Sequence, residues 1–216
     1  MSTTKGETEP VTIRLAPKGP LIVKNLERLQ NSRGEAIASK PTIALCRCGG
    51  SANKPFCDGT HAKIEFSGEN TADKGADRQD AYAGGEVTIQ DNRFLCAHIG
   101  ECTDNLAAVF RLGTEPWIDP DGADGQAIME TIRKCPSGAL GYVFQGAAYQ
   151  EPQGEPWITV SKDGPYFVRG DVALDGVAWS ASADKRRYAL CRCGASANKP
   201  FCDGSHGRVE FQDDGN

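Results

Sequence analysis

Short apolar runs bounded by turn formers recur along this chain in place of long amphipathic helices. Leu21-Ile22-Val23-Lys24 follows the turn Lys18-Gly19-Pro20, and Tyr166-Phe167-Val168-Arg169 follows Asp163-Gly164-Pro165, so each reads as a strand leaving a turn. Thr42–Leu45 and Arg187–Leu190 read as further strands, and residues 64–66 and 209–211 as a later pair. Every one of these matches lies 145 residues from its partner, so the pattern is an internal repeat. Between the copies the period changes. Tyr82-Ala83-Gly84-Gly85 reads as a linker or turn before a strand at 86–89, and Ile128, Met129 and Ile132 fall at helical spacing within Gly125–Lys134, with Asp124 as its cap. The expectation is an α+β chain: a tail at 1–17, a β-rich unit at 18–71, an α+β insert at 72–150 and a second β-rich unit at 151–216. Each β-rich unit is too small to hold together on apolar burial alone, so something else must staple it.

The candidate staple lies inside the repeat. Residues 45–61 read LCRCGGSANKPFCDGTH and residues 190–206 read LCRCGASANKPFCDGSH, with two positions changed. Each offers three cysteines and a histidine at the spacing C-x-C-x8-C-x3-H: Cys46, Cys48, Cys57 and His61 in the first, Cys191, Cys193, Cys202 and His206 in the second. Thiolate and imidazole select zinc or iron-sulfur centres over hard cations. Structural zinc knuckles place two to four residues between paired cysteines. A single intervening residue suits two thiolates on one iron, with a cysteine and a histidine left for the other, although spacing alone leaves zinc open.

These residues resemble the CDGSH iron-sulfur (NEET) family, whose signature is C-x-C-x2-[ST]-x3-P-x-C-D-G-[ST]-H. Ser51, Pro55, Asp58, Gly59 and Thr60 fill the remaining fixed positions of the first copy, and Ser196, Pro200, Asp203, Gly204 and Ser205 those of the second. The resemblance implies a [2Fe-2S] cluster in each motif, held by three cysteines and one exposed, labile histidine. Asp58 and Asp203 are placed to cap a short helix, and the glycine after each lets the backbone pass close to the cluster. Lys54 and Lys199 read either as cations favouring reduction or as solvated surface. Single-motif members of the family are homodimers. Two motifs in one chain suggest a monomer with an internal pseudo-two-fold pair, a homodimer, or two independent beads.

The insert carries the other three cysteines. Cys96 and Cys102 keep the outer spacing of a ferredoxin C-x2-C-x2-C run whose middle place is Ile99, and Cys135-Pro136 supplies the distant C-P. The pattern resembles divergent single-cluster ferredoxins. It implies a [3Fe-4S] centre on Cys96, Cys102 and Cys135, or a [4Fe-4S] centre borrowing a ligand such as His98; the bland alternative is three core cysteines. The turn-rich stretch from Trp117 to Gly122 reads as packing.

Charge and composition exclude several classes. The net charge of −5 and scattered lysines and arginines give no nucleic-acid footprint. No apolar run approaches a membrane span, the start MSTTKGETEP has no signal-like apolar region, and nine cysteines without a secretory signal suit a reducing cytoplasm. All three histidines lie within the cluster modules, and no P-loop or dinucleotide fingerprint is present, so an enzyme is not expected and no residue is assigned a catalytic role. Three functions use the same ligands: electron transfer with redox partner proteins, storage or delivery of clusters to apo-acceptors, eased by protonation of His61 or His206, and redox or pH sensing. Electron transfer leads, because the insert resembles a ferredoxin.

Overall fold

Alternation of buried and exposed positions generates the sheets in the computed structural model, which describes residues 9–213. In the first unit β1 (Val11–Leu15), β2 (Leu21–Lys24), β3 (Arg28–Asn31) and β4 (Thr42–Leu45) each turn every second residue inward. β1 lies within the stretch expected to be tail. Its Val11 and Ile13 are buried, and it occupies an interior position in its sheet, so the unit begins there rather than at residue 18. The insert contributes β5 (Asp80–Ala83), β6 (Val87–Asp91), β7 (Leu140–Phe144) and the short β8 (Ala147–Ala148), and the second unit contributes β9 (Trp157–Val160), β10 (Tyr166–Arg169), β11 (Val172–Asp175) and β12 (Arg187–Leu190). Tyr82 and Ala83, expected as linker or turn, belong to β5; the turn is confined to Gly84-Gly85, where Gly84 N–H donates to the Val87 carbonyl.

The two β-rich units exchange strands. One sheet runs β11-β1-β2-β4 and the other β12-β10-β9-β3, so the third strand of each unit pairs in parallel with the first strand of the other. The registers correspond: Ile13 faces Leu174, and Leu29 faces Ile158. All remaining neighbours in these sheets are antiparallel. The result is one apolar core drawn from both units, including Ile13, Val23, Leu29 and Leu45 from the first and Ile158, Val160, Tyr166, Val168 and Leu190 from the second. Two independent beads are therefore excluded: the units interlock about a pseudo-two-fold axis, and their pooled core answers part of the small-unit problem that the sequence posed.

The insert has its own core. The meander β5-β6-β7-β8 packs on α3 (Gly125–Lys134), and the short α2 (Glu101–Asn105) lies beside α3. Val87, Ile89, Phe110, Ile118, Ile128, Ile132 and Leu140 are buried together. Asp124 caps α3 as expected, accepting from Ala127 N–H at 2.9 Å. Trp117 packs against Phe110 at 5.8 Å between ring centroids and lies under the Arg93 guanidinium at 3.6 Å, which makes the 117–122 stretch a packing element. The insert joins the second unit through Arg187, which is fully buried and donates to the carbonyls of Ile132 at 3.0 Å and Leu140 at 3.2 Å.

Candidate metal centres

Each motif is delivered by a strand and closed by one short helix. β4 ends at Leu45 and β12 at Leu190, directly before the first cysteine, and α1 (Thr60–Lys63) and α4 (Ser205–Arg208) carry the histidines. The helices begin at Gly59 and Gly204, both left-handed with φ near 89° and 82°, which suits glycine. The expected aspartate cap takes another form. Asp58 and Asp203 stand one place before the cap and bridge two loops, accepting from Thr60 and Ala52 N–H in the first copy and from Ser205 and Ala197 N–H in the second, at 2.8–3.0 Å. Those amides, Thr60 first, hold the exposed Asp58 carboxyl well below its ordinary range. Residues 64–66 and 209–211, expected as strands, instead reverse the chain. Glu65 and Glu210 adopt positive φ, and the amides of Phe66 and Phe211 return to the carbonyls of His61 and His206 at 3.0 Å.

The sulfur and nitrogen donors come in pairs. Cys46 Sγ lies 3.6 Å from Cys48 Sγ, and Cys57 Sγ 3.2 Å from His61 Nδ1. In the second motif the same pairs stand at 3.8 and 3.4 Å. Two donors on one tetrahedral metal, with bonds of ~2.3 Å to sulfur and ~2.0 Å to nitrogen, would stand ~3.8 Å apart for two thiolates and ~3.5 Å for a thiolate and an imidazole. Among the described residues no three Cys, His, Asp or Glu side chains are placed to hold one metal ion. Burial pushes the thiols of Cys48 and Cys202 up to about 11 and about 12. Cys193 moves the other way, down to about 6, because Cys191 hydrogen-bonds its thiolate. Burial also lowers His206.

Two arginines that the sequence reading left unassigned organise these loops. Arg47 and Arg192 fill the single place between the paired cysteines and are both buried. Arg47 donates to the carbonyls of Gly19 at 2.7 Å and Ala16 at 2.9 Å, and Arg192 to those of Gly164 at 2.8 Å and Ser161 at 2.7 Å; Arg192 also pairs with Asp213. Their signal in the sequence was a cation kept at one position in both copies of an otherwise apolar approach. Ser51 and Ser196 close the loops by donating to the carbonyls of Phe56 and Phe201. The lysines are tied back rather than free: Lys54 Nζ donates to the Ser51 carbonyl, and Lys199 Nζ to that of Ser196.

The motifs meet across the pseudo-axis. A Cβ on Gly49 would stand 2.4 Å from the Cys193 carbonyl oxygen, and one on Gly194 would stand 2.5 Å from that of Cys48. Tyr166 of the second unit donates to the carbonyls of Cys46 at 2.7 Å and Pro55 at 3.0 Å.

In the insert, Cys96, Cys102 and Cys135 border the same apolar core and lie near enough for each to bear on another's charge. Burial raises the Cys102 thiol to about 11 and raises Cys96 as well. Cys96 Sγ accepts from His98 N–H and Arg93, each at 3.4 Å, while Cys135 Sγ lies 3.8 Å from Ser137 Oγ. The His98 side chain packs against Gly204 of the second motif.

Comparison with known proteins agrees with this division. Residues 18–62 and 163–207 each match the iron-binding zinc finger CDGSH type, and residues 82–145 match the divergent 4Fe-4S mono-cluster family. The chain therefore belongs to the CDGSH iron-binding family, with two such domains flanking a divergent 4Fe-4S mono-cluster domain. It is also 38% identical over 61 residues to the uncharacterized protein YjdI of Escherichia coli K12 and to that of strain O157:H7, matches covering 28% of this chain and 80% of each relative. No solved structure matches the chain.

Proposed function

We propose that this protein carries electrons on two [2Fe-2S] clusters, one held by Cys46, Cys48, Cys57 and His61 and the other by Cys191, Cys193, Cys202 and His206. The observation that supports this most is the pairing of donors, two thiolates at one end of each site and a thiolate with an imidazole at the other. When bound, such a cluster accepts and returns one electron, and a histidine ligand raises its potential relative to all-cysteine ligation. Around it the chain supplies a fixed cradle. Arg47 and Arg192 anchor the loop backbones, and the αL glycines bring amides toward the sulfurs, with Gly59 and Gly204 N–H donating to Cys57 and Cys202 Sγ at 3.4 Å. Cys96, Cys102 and Cys135 would hold a third centre, either the 4Fe-4S cluster after which the insert's family is described or a [3Fe-4S] centre, which three thiolates can hold.

Carriage fits this architecture better than catalysis, its partners being redox proteins. None of the nine cysteines is paired in a disulfide, which suits a reducing compartment such as the cytoplasm, and among the described residues no helix is long and apolar enough to cross a membrane. Delivery of clusters to apo-acceptors is the second reading, favoured at the first motif by the exposure of Asp58 and the partial exposure of Cys57 and His61. The two separate on one comparison. If the His61→Cys, His206→Cys double variant still takes an electron from a reductase while wild type moves no cluster to apo-ferredoxin, electron transfer stands. Cluster movement at a rate that matches or exceeds reduction would replace it with delivery.

A further inference from the structure

Two nearly identical motifs stand here in different surroundings. In the first, Ala52, Asn53 and Asp58 are exposed, Phe56, Cys57 and Thr60 are half-buried, and nothing lies within 4 Å of a Cβ placed on Gly59. In the second, Asn198, Phe201, Cys202 and Ser205 are buried at 2%, 7%, 3% and 3% exposure. The cover comes from two segments outside the unit. The strand of chain leaving the first unit lays Asn70 on Asn198 Oδ1 and the Lys199 carbonyl, both at 2.9 Å, and Thr71 N–H on the Ala197 carbonyl at 2.8 Å. The loop carrying Cys96 does the rest. The Phe94 carbonyl accepts from Asn198 Nδ2 at 3.0 Å, and Ala97 and Ile99 pack with Cys202, Ala189 and Phe167. A Cβ on Gly204 would meet His98 Cβ, Cδ2 and Cγ at 2.8–3.0 Å.

We propose that this docked loop divides the labour between the motifs: the second is the inner site, retained and facing the insert's cysteines, and the first is the outer site through which the protein exchanges with partners. The inference rests on the two-cluster reading above and adds to it the direction of traffic. Three features carry it. Cys202 is covered by an apolar contact and is 3% exposed, whereas Cys57 is half-buried without such cover, so water reaches that thiol less readily in the second motif. Asn198, whose equivalent Asn53 is free at the surface, is held from two sides. Finally, His98 is kept at φ 52° with its N–H on Cys96 Sγ, so one residue touches both the insert's cysteine set and the second motif.

The test follows visible absorbance of the full-length, iron-loaded protein after adding excess EDTA. The expected result for the two CDGSH clusters is two phases of equal amplitude, with rates that differ by about tenfold or more. His61→Cys should abolish the fast phase by substituting a thiolate for the imidazole, and His206→Cys should leave it unchanged. His98→Gly, which keeps the positive φ while removing the ring, should speed the slow phase at least ~threefold and leave the fast phase as it was. Asn198→Ala, which removes the hydrogen bonds to Phe94 and Asn70, should act in the same direction. A common rate for both clusters, a fast phase belonging to the second motif, or equal effects of His98→Gly on both phases would overturn the proposal. Protein without iron and sulfide would overturn the two-cluster reading and this inference with it; iron and sulfide present with a single rate would overturn only the inference.

Discussion

Individual residues here are constrained less by their chemistry than by what lies within an atom's width of them. Gly49 and Gly194 sit outside the fixed positions of the CDGSH signature, yet both have φ near 80° and each abuts the other motif's cysteine carbonyl. Alanine at either position meets rigid backbone and left-handed strain together, a cost of roughly 1–3 kcal/mol for the strain alone. We expect Gly49→Ala or Gly194→Ala to lower the iron content of both motifs, measured by metal analysis of purified protein; full loading in either variant would show that the loops do not meet this closely. Asp91 is a different case. It is buried, and Arg93 Nε approaches one of its oxygens at 3.4 Å. Burial raises its carboxyl to about 6 from 3.8, with Asp80 adding repulsion and Arg93 and Trp117 opposing it. Because the folded protein then binds the proton more tightly than the unfolded chain, Asp91 costs stability as pH rises from about 4 to about 6, and the cost is level above that. Asp91→Asn should therefore stabilise the protein by on the order of 1–3 kcal/mol at pH 7 and by progressively less toward pH 5. Urea denaturation of variant and wild type across that range reads the difference directly, and a pH-independent difference would contradict it.

At the scale of elements, the strand exchange is the decisive feature. β3 and β11 leave their own units to complete the other's sheet, so neither unit has a finished core without its partner. Leu29 is 1% exposed at the centre of β3. Truncating it removes packing from the second unit's sheet although it belongs to the first, and Leu29→Ala should cost about 2–5 kcal/mol. Circular dichroism and cluster absorbance should be lost in one common thermal transition for both motifs, whereas loss of the first motif alone would contradict the exchange. Much of this level was legible in the sequence. The strands Leu21–Lys24, Thr42–Leu45, Tyr166–Arg169 and Arg187–Leu190 and the helix Gly125–Lys134 form where period and turn chemistry placed them. β1 was not, because Val11-Thr12-Ile13-Arg14-Leu15 is a short alternating run directly after a polar, charged start and reads as part of that tail. The segments after the histidines read as strands from their apolar residues alone, but Phe66 and Phe211 serve there to pack against Arg47 and Arg192, at 5.2 and 4.9 Å from ring centroid to guanidinium carbon.

Over the whole molecule, the repeat sets two equal ligand sets in unequal places. The donor pairs were legible because metal coordination demands fixed residue types at fixed spacing, and the structure brings every candidate donor of both motifs beside another. The asymmetry was written only faintly, at repeat positions where the copies diverge. Thr42 is exposed where Arg187 is buried against the insert, and Leu21 stands where Tyr166 reaches across to the first motif. Pairing a strand with a distant segment is a tertiary event, and no local period in β3 or β11 announces it.

The central claim concerns what the paired donors hold, and chemical analysis of anaerobically purified protein answers it together with the paramagnetic resonance spectrum after reduction. The account predicts two irons and two acid-labile sulfides for each CDGSH motif, with a reduced [2Fe-2S] signal that shifts in His61→Cys and in His206→Cys. A colourless protein with one zinc per motif and no sulfide would contradict it.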